Sequence, residues 1–130
     1  MSTIEVGTRL PPLEQAADLT TSVMYAGASG DMNPLHYDPA FAAQVSPTGG
    51  TIVHGMYSMG LASRVVTSFA GGPERVLEVA VRFTKPWPLG TSATFSGEVT
   101  AIEDGVATLT LWGEHEAGER ILQGSARIAV

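Results

Sequence analysis

The chain has 130 residues, which is enough for one domain with a buried core but leaves little room for a second. Its formal net charge is −6 and its seven basic residues are dispersed, so it lacks the electrostatic basis for sequence-independent binding to nucleic acid. The absence of cysteine excludes disulfides, thiolate metal sites and a thiol nucleophile. We therefore expect a single domain over residues 1–130.

The N-terminal residues show neither the basic region nor the apolar region of a signal peptide. No segment approaches the roughly 18 consecutive apolar residues of a membrane span. We expect a cytoplasmic protein that binds neither a membrane nor nucleic acid.

The first third of the chain predicts short elements separated by turns. A short edge strand is expected over 13–19. Thr20 or Thr21 is expected to cap a short helix that Gly30 ends, because glycine readily adopts the left-handed conformation found at helix C-termini. A second short helix is expected over 38–45, where an aspartate and a proline stand at its start.

Residues 29–36 between these helices read Ser-Gly-Asp-Met-Asn-Pro-Leu-His. Pro34 has no N–H and disfavours helical backbone at Asn33, so the segment is expected to be a bent loop. Such a loop can bring Asp31 and His36 to one water molecule, where a carboxylate and an imidazole perform general acid–base catalysis. The alternative is an ordinary turn, because Asp and Asn side chains also hydrogen-bond nearby backbone N–H groups.

The rest of the chain predicts one long helix followed by strands. The helix is expected over 54–69, and apolar residues occupy most of its circumference, so we expect it to be buried all round, with Gly60 allowing close approach of a sheet. Alternating apolar residues in the last sixty positions predict a four-strand antiparallel meander, with Asp104 and Gly105 in one hairpin turn. An antiparallel sheet wrapped around a long central helix is an α+β domain of the hot-dog architecture.

Three segments together resemble a known family. Residues 25–36, Tyr-Ala-Gly-Ala-Ser-Gly-Asp-Met-Asn-Pro-Leu-His, followed by Ala42, closely resemble the signature of the MaoC-like, or type 2 (R)-specific enoyl-thioester, hydratases. Residues 52–56, Ile-Val-His-Gly-Met, and 82–90, Arg-Phe-Thr-Lys-Pro-Trp-Pro-Leu-Gly, look like the same family's helix start and strand end. The resemblance covers nearly the whole chain, with a mild departure at Ala28.

The resemblance implies reversible syn addition of water to a trans-2-enoyl thioester, with Asp31 and His36 as the catalytic pair. It implies no separate cofactor, since coenzyme A or the phosphopantetheine of an acyl carrier protein is part of the substrate. The reaction also develops negative charge on the thioester oxygen. Gly55, at the start of the long helix, can offer an unhindered backbone N–H there, reinforced by the helix dipole.

Further side chains are candidates for contact with substrate, each with a plainer alternative. Ser29 and Asn33 are candidates beside the catalytic water, or else they cap the loop. Tyr57, Met59 and Phe41 are candidates for an acyl wall, or else they pack in the core. Lys85 is a candidate for a phosphate of the carrier, or else it is a solvated strand residue.

The histidines do not predict a metal site. The chain has three, His36, His54 and His115, which are far apart in sequence and have neither cysteine nor clustered carboxylates as companions. We expect a structural role for His54 at the helix start and a surface position for His115.

An exposed sheet edge predicts a homodimer, and a heterodimer with a related hot-dog subunit is the alternative. Two other functions stay open. One is a subunit that supports a catalytic partner chain without turnover of its own, and the other is a hot-dog thioesterase. A thioesterase is expected to use a carboxylate on the long helix, and residues 54–69 contain none.

Overall fold

An antiparallel sheet of five strands is the main layer of the molecule in the computed structural model, which describes residues 3–130. The strands are β1 (Leu13–Ala17), β2 (Val76–Phe83), β3 (Thr91–Glu103), β4 (Val106–His115) and β5 (Arg120–Ala129). The helices are α1 (Leu19–Ser29), α2 (Pro39–Val45) and α3 (Gly55–Ala70), and short 3₁₀ turns cover Pro34–His36 and Pro73–Arg75. This confirms the α+β hot-dog prediction. Residues 1 and 2 of the expected domain lie outside the described residues.

The strand order is β1-β3-β4-β5-β2, so the predicted four-strand meander was wrong. Strands β3, β4 and β5 do form a meander, and its first turn has the predicted hairpin chemistry, with positive φ at both Asp104 and Gly105. Strand β2, however, pairs with β5 at the far edge. The reason lies in residues 84–90, which contain two prolines and do not form a hairpin turn. They connect β2 at one edge of the sheet to β3 near the opposite edge.

Helix α3 begins at Gly55 and ends at Ala70, close to the predicted limits. The prediction that it is buried all round was wrong. One face packs against the sheet through residues such as Leu61, Val65 and Val66, while Met56 is 59% exposed. Gly60 also lies on the exposed side, with open space around it, and therefore does not serve close approach of the sheet.

The core lies between α3 and the inner face of the sheet. Phe95, Leu109, Leu122 and Ile128 from β3, β4 and β5 are fully buried there, together with Val66 of α3. Each such side chain contributes about 1.5–3 kcal/mol through removal of apolar surface from water. The central strands and α3 are therefore the frame to which residues 3–54 attach.

Helix α1 begins two or three residues earlier than predicted. Its N-cap is Asp18, which accepts a hydrogen bond from the Thr21 N–H at 2.9 Å, while the Thr21 hydroxyl in turn accepts from the Asp18 N–H. This reciprocal pair is a capping box, so Thr21 stands inside the helix and the prediction of Thr20 or Thr21 as cap was wrong. The C-terminal end agrees with the prediction, because Gly30 adopts φ 77°.

None of the helices described over residues 3–130 combines the length and the apolar character needed to cross a bilayer.

Candidate active site

The loop that carries Asp31 and His36 is shaped by its own side chains. Gly30 turns the chain out of α1 in the left-handed conformation. Ser29 Oγ then accepts a hydrogen bond from the Asp31 N–H at 3.2 Å, and Asn33 Oδ1 accepts from the Leu35 N–H at 3.0 Å. Ser29 and Asn33 therefore make the local loop contacts that were the plainer alternative for each.

His36 is fixed in one tautomer. Its Nδ1 lies 2.8 Å from the carbonyl oxygen of Ile52, and a carbonyl can only accept, so Nδ1 carries the proton. Nε2 of the neutral ring is then a bare lone pair. It lies 3.9 Å from Oδ2 of Asp31, whose side chain is 52% exposed.

A gap of 3.9 Å is too long for a direct hydrogen bond between Asp31 and His36. It fits one water molecule that hydrogen-bonds to both groups, because each such bond is about 2.8 Å long and the three atoms then form a bent bridge. The carboxylate and the bare nitrogen are both acceptors. The pair can therefore polarise one water and take up a proton from it.

His54 is the N-cap residue of α3, and it is almost fully buried. Its Nε2 lies 3.1 Å from the backbone oxygen of Asp31, and its ring stacks on the ring of His36 with the centroids 3.8 Å apart. Tyr25 of α1 packs edge-on against the same ring. Burial is the main cause that lowers the pKa of His54; it outweighs the hydrogen bond to the Asp31 backbone, which raises the pKa, and the neighbouring His36 adds to the lowering.

A cavity of about 350 Å³ adjoins His36. Its walls come from the segment before α3, from the first turn of α3, and from the sheet edge with the crossover that follows β2. The lining residues include Ile52, Val53, Gly55, Ser58, Phe83, Thr84, Pro86, Trp87 and Ile121. Both the volume and the mainly apolar lining are typical of a small-molecule site.

Gly55 is the first residue of α3, where backbone N–H groups have no partner within the helix. His54 provides no side-chain cap, and the Gly55 N–H makes no backbone hydrogen bond among the described residues. A side chain at this position would press against the Phe83 ring, with a Cβ only 3.0 Å from Cε2. Glycine thus leaves an available N–H at the cavity wall.

Comparison with known proteins identifies the family. Residues 6–115 match the family described as MaoC like domain. The chain belongs to the MaoC-like family. It is 33% identical over 116 residues to the 3-oxo-4,17-pregnadiene-20-carboxyl-CoA hydratase beta subunit of Mycobacterium tuberculosis, and the aligned region covers 89% of each chain.

Solved structures agree with the family and with the hot-dog fold. The (R)-hydratase from A. caviae superposes with a TM-score of 0.89 and 31% identity, covering 100% of this chain and 99% of that one. The ChsH1-ChsH2 complex from Mycobacterium tuberculosis gives a TM-score of 0.85 and 32% identity, with 98% and 99% covered.

The acyl-wall candidates do not gather at the cavity of this MaoC-like chain. Tyr57 lies on another side of α3, where it lines a cavity of about 380 Å³ with Met24 and Tyr25 of α1, and burial raises its pKa. Phe41 is largely exposed on α2, Met59 is half-buried on α3, and neither is among the described residues that line the cavity beside His36.

Lys85 does line that cavity, in the crossover after β2. Its Nζ lies 3.5 Å from Oε1 of Glu119, and both side chains are more than half exposed, so the pair binds weakly. Lys85 is therefore free to turn toward an anionic group at the cavity.

Sequence reasoning missed the contributions of Ser58 and Phe83 to the cavity, and it underrated His54. Ser58 stands one turn into α3 and would have been found by asking which polar residue shares the helix face of Gly55. Phe83 and Ile121 come from paired strands far apart in sequence, and no local pattern identifies them.

Asp31, His36 and His54 offer oxygen or nitrogen atoms that all lie within 4.8 Å of one another, a spacing that a metal ion could bridge. The chemistry of the donors fits a metal poorly. Nε2 of His54 already carries a proton toward the Asp31 carbonyl, so this nitrogen has no lone pair to offer a metal beside Asp31 and His36. His115, the last residue of β4, is partly exposed, and its Nδ1 accepts a hydrogen bond from the Ala117 N–H.

Proposed function

We propose that this MaoC-like protein is an (R)-specific enoyl-thioester hydratase, which also runs as a 3-hydroxyacyl-thioester dehydratase. The observation that carries the proposal is the facing pair of Asp31 Oδ2 and His36 Nε2, 3.9 Å apart, beside a cavity into which the start of α3 presents Gly55. Such an enzyme is a hydro-lyase.

In the proposed reaction, the water bridging Asp31 and His36 attacks Cβ of the enoyl thioester. The pair takes a proton from the water as its oxygen bonds to Cβ, and the π electrons move onto the thioester oxygen. The Gly55 N–H stabilises this oxyanion, with the positive end of the α3 dipole behind it. The pair then returns a proton to Cα, so it ends in its starting state and both additions come from one face.

The acyl group is carried by coenzyme A or by the phosphopantetheine of an acyl carrier protein, and no separate cofactor takes part. An anionic carrier is supported by Lys85, which lines the cavity. Its only ion pair among the described residues is the exposed one with Glu119, so its ammonium group is available to bind a phosphate of the carrier. Tyr57, Met59 and Phe41 have no supporting contact with this cavity. The cytoplasmic location stays a prediction from the sequence.

The protein is proposed to act as a dimer. Strand β2 is an edge strand, and it exposes the large apolar residues Leu77 and Phe83. An unpaired apolar edge favours pairing with a second chain. A homodimer satisfies this edge directly, whereas a related hot-dog partner is favoured by the relative from Mycobacterium tuberculosis that is named as a beta subunit.

The alternative functions have less support. A subunit without its own turnover has no need of an acid–base pair, and this chain holds Asp31 and His36 in facing positions. A thioesterase with a carboxylate on α3 is not possible here, because Gly55–Ala70 contains no acidic residue. The fold itself does not separate these activities.

The test is hydration of crotonyl-CoA, followed by the loss of enoyl absorbance, with the configuration of the product determined. Asp31→Asn and His36→Ala should each lower kcat by at least about 100-fold, the usual scale for a positioned acid or base. The double variant should fall little further, because both groups act on one water. His115→Ala is the matched control in the last hairpin. Wild-type kcat in either single variant would refute the proposal.

A further inference from the structure

His54 occupies an unusual place for a core histidine. It is 1% exposed, yet it lies between the two halves of the proposed active site. Its side chain reaches the backbone oxygen of Asp31, its ring covers the ring of His36, and its own backbone leads directly into Gly55.

The protonation of His54 follows from its contacts. The Asp31 carbonyl can only accept, so Nε2 of His54 carries the proton and donates it across 3.1 Å. Nδ1 is then a lone pair, and it is buried without a partner among the described residues. A proton added at Nδ1 would therefore be a buried donor without an acceptor, which strongly disfavours the cation.

The groups around the ring explain why a neutral histidine is useful. Asp31 and His36 face it from the loop, and Tyr25 faces it from α1. When His36 takes a proton during turnover, a neutral aromatic face 3.8 Å away can accommodate the charge, whereas a second imidazolium would repel it. A charged His54 would also compete with His36 for the Asp31 carboxylate, 4.0 Å from its Nε2.

We propose that His54 is a positioning residue, which ties the acid–base loop to the start of α3 so that Asp31 and His36 face one water beside the Gly55 N–H. The hydrogen bond from Nε2 holds Asp31, and the stacked ring holds His36. The catalytic part of this inference rests on the proposed hydratase function. The positioning part is a structural property that can be measured without turnover.

Two substitutions separate the hydrogen bond from the packing. His54→Gln keeps an N–H donor near the position of Nε2 but removes the ring, whereas His54→Phe keeps a ring of similar size but removes the donor. His115→Gln and His115→Phe are matched controls, because His115 lies in the β4–β5 hairpin and does not line the cavity beside His36. Crotonyl-CoA hydration gives kcat and KM, and thermal unfolding gives Tm for every variant.

If His54 positions the pair, kcat of His54→Phe should fall at least about 10-fold below that of His54→Gln with similar KM, since a misplacement of 1 Å costs about 100-fold. The Tm of His54→Phe should equal or exceed that of His54→Gln, so activity and stability rank in opposite orders. If His54 only fills the core, kcat of the two variants should rank in the same order as their Tm, and His54→Phe should be the more active variant. That result would overturn the proposal.

Two measurements decide the positioning part even if the wild type does not turn over crotonyl-CoA. Nitrogen NMR of the wild-type rings at neutral pH should show His54 as the neutral Nε2–H tautomer. Hydrogen exchange of the loop amides, such as His36 N–H bonded to the Asn33 carbonyl at 3.1 Å, should accelerate in His54→Phe and not in His54→Gln. A proton on Nδ1 of the neutral ring, or equal exchange in both variants, would refute it. An inactive wild type with these NMR and exchange results would refute the hydratase function alone.

Discussion

Replacement of Gly55 by alanine tests whether the start of α3 is shaped for substrate. The added Cβ would lie 3.0 Å from Cε2 of Phe83 and 3.2 Å from Cδ2 and Cζ. Carbon atoms prefer a separation of about 3.5–4.0 Å, so the ring must move by a few tenths of an ångström. Phe83 is 48% exposed and can move, but it lines the cavity, so its movement changes the space beside His36.

The variant should lose activity without losing stability. Alanine favours a helix over glycine by about 0.5–1 kcal/mol, which offsets the cost of moving an exposed ring, so Tm should be unchanged or slightly higher. The backbone N–H is kept, and kcat/KM should fall by about 10-fold, which is less than the roughly 100-fold cost of a 1 Å misplacement because the ring moves by less. The assay is crotonyl-CoA hydration alongside thermal unfolding.

Two further variants make the Gly55→Ala result specific. Gly60→Ala is the matched control on the same helix, where nothing lies within 4 Å of the added Cβ, and it should raise Tm without changing kcat/KM. The double variant Gly55→Ala/Phe83→Leu removes the crowding and should recover part of the activity. Full activity in Gly55→Ala, or a drop in Tm that accounts for the loss, would refute the reasoning.

Two other predictions concern charge. Burial lowers the pKa of His54 below its ordinary value of 6.5, so below about pH 6.5 the unfolded chain binds a proton that the folded chain does not. The free energy of unfolding should therefore fall as pH drops from about 6.5 toward the lowered pKa. Urea titrations at a series of pH values should show a smaller fall in His54→Phe than in the wild type. An equal fall in both proteins would contradict the burial argument. Lys85→Ala should raise KM for crotonyl-CoA with little change in kcat. Arg64→Ala, on the exposed face of α3, is the control and should change neither KM nor kcat. Equal effects of the two substitutions on KM would show that Lys85 does not bind the substrate.

Local chemistry made much of the fold predictable. Gly30 ends α1, an Asp-Pro pair starts α2, and an Asp-Gly pair turns between β3 and β4, because each feature depends on backbone preferences of one or two residues. The cap of α1 was missed because Asp18, Thr20 and Thr21 are all good N-caps within one turn. What decides among them is where β1 leaves the sheet, which is a tertiary property.

The site was predictable only in part for the same reason. Asp31 and His36 stand five positions apart in a loop that Pro34 bends, so their proximity follows from local geometry. The cavity wall does not, because Phe83 and Ile121 meet through pairing of β2 with β5. Tyr57 is on the same helix as Gly55 but lines a different cavity, and neither Met59 nor Phe41 is among the described residues that line the cavity beside His36.

The segment Ile-Val-His-Gly at 52–55 organises the whole site, and the crossover that the meander prediction missed is what supports it. On one side the carbonyl of Ile52 holds His36, and His54 holds Asp31. On the other side the Val53 N–H donates to the carbonyl of Trp87 at 2.8 Å. A tight β2–β3 turn would remove the Trp87 carbonyl from this segment. Because β2 lies at the edge beside β5, the proline-containing residues 84–90 cross next to the segment 52–55. This crossover therefore forms part of the cavity wall and also helps to align the acid–base pair.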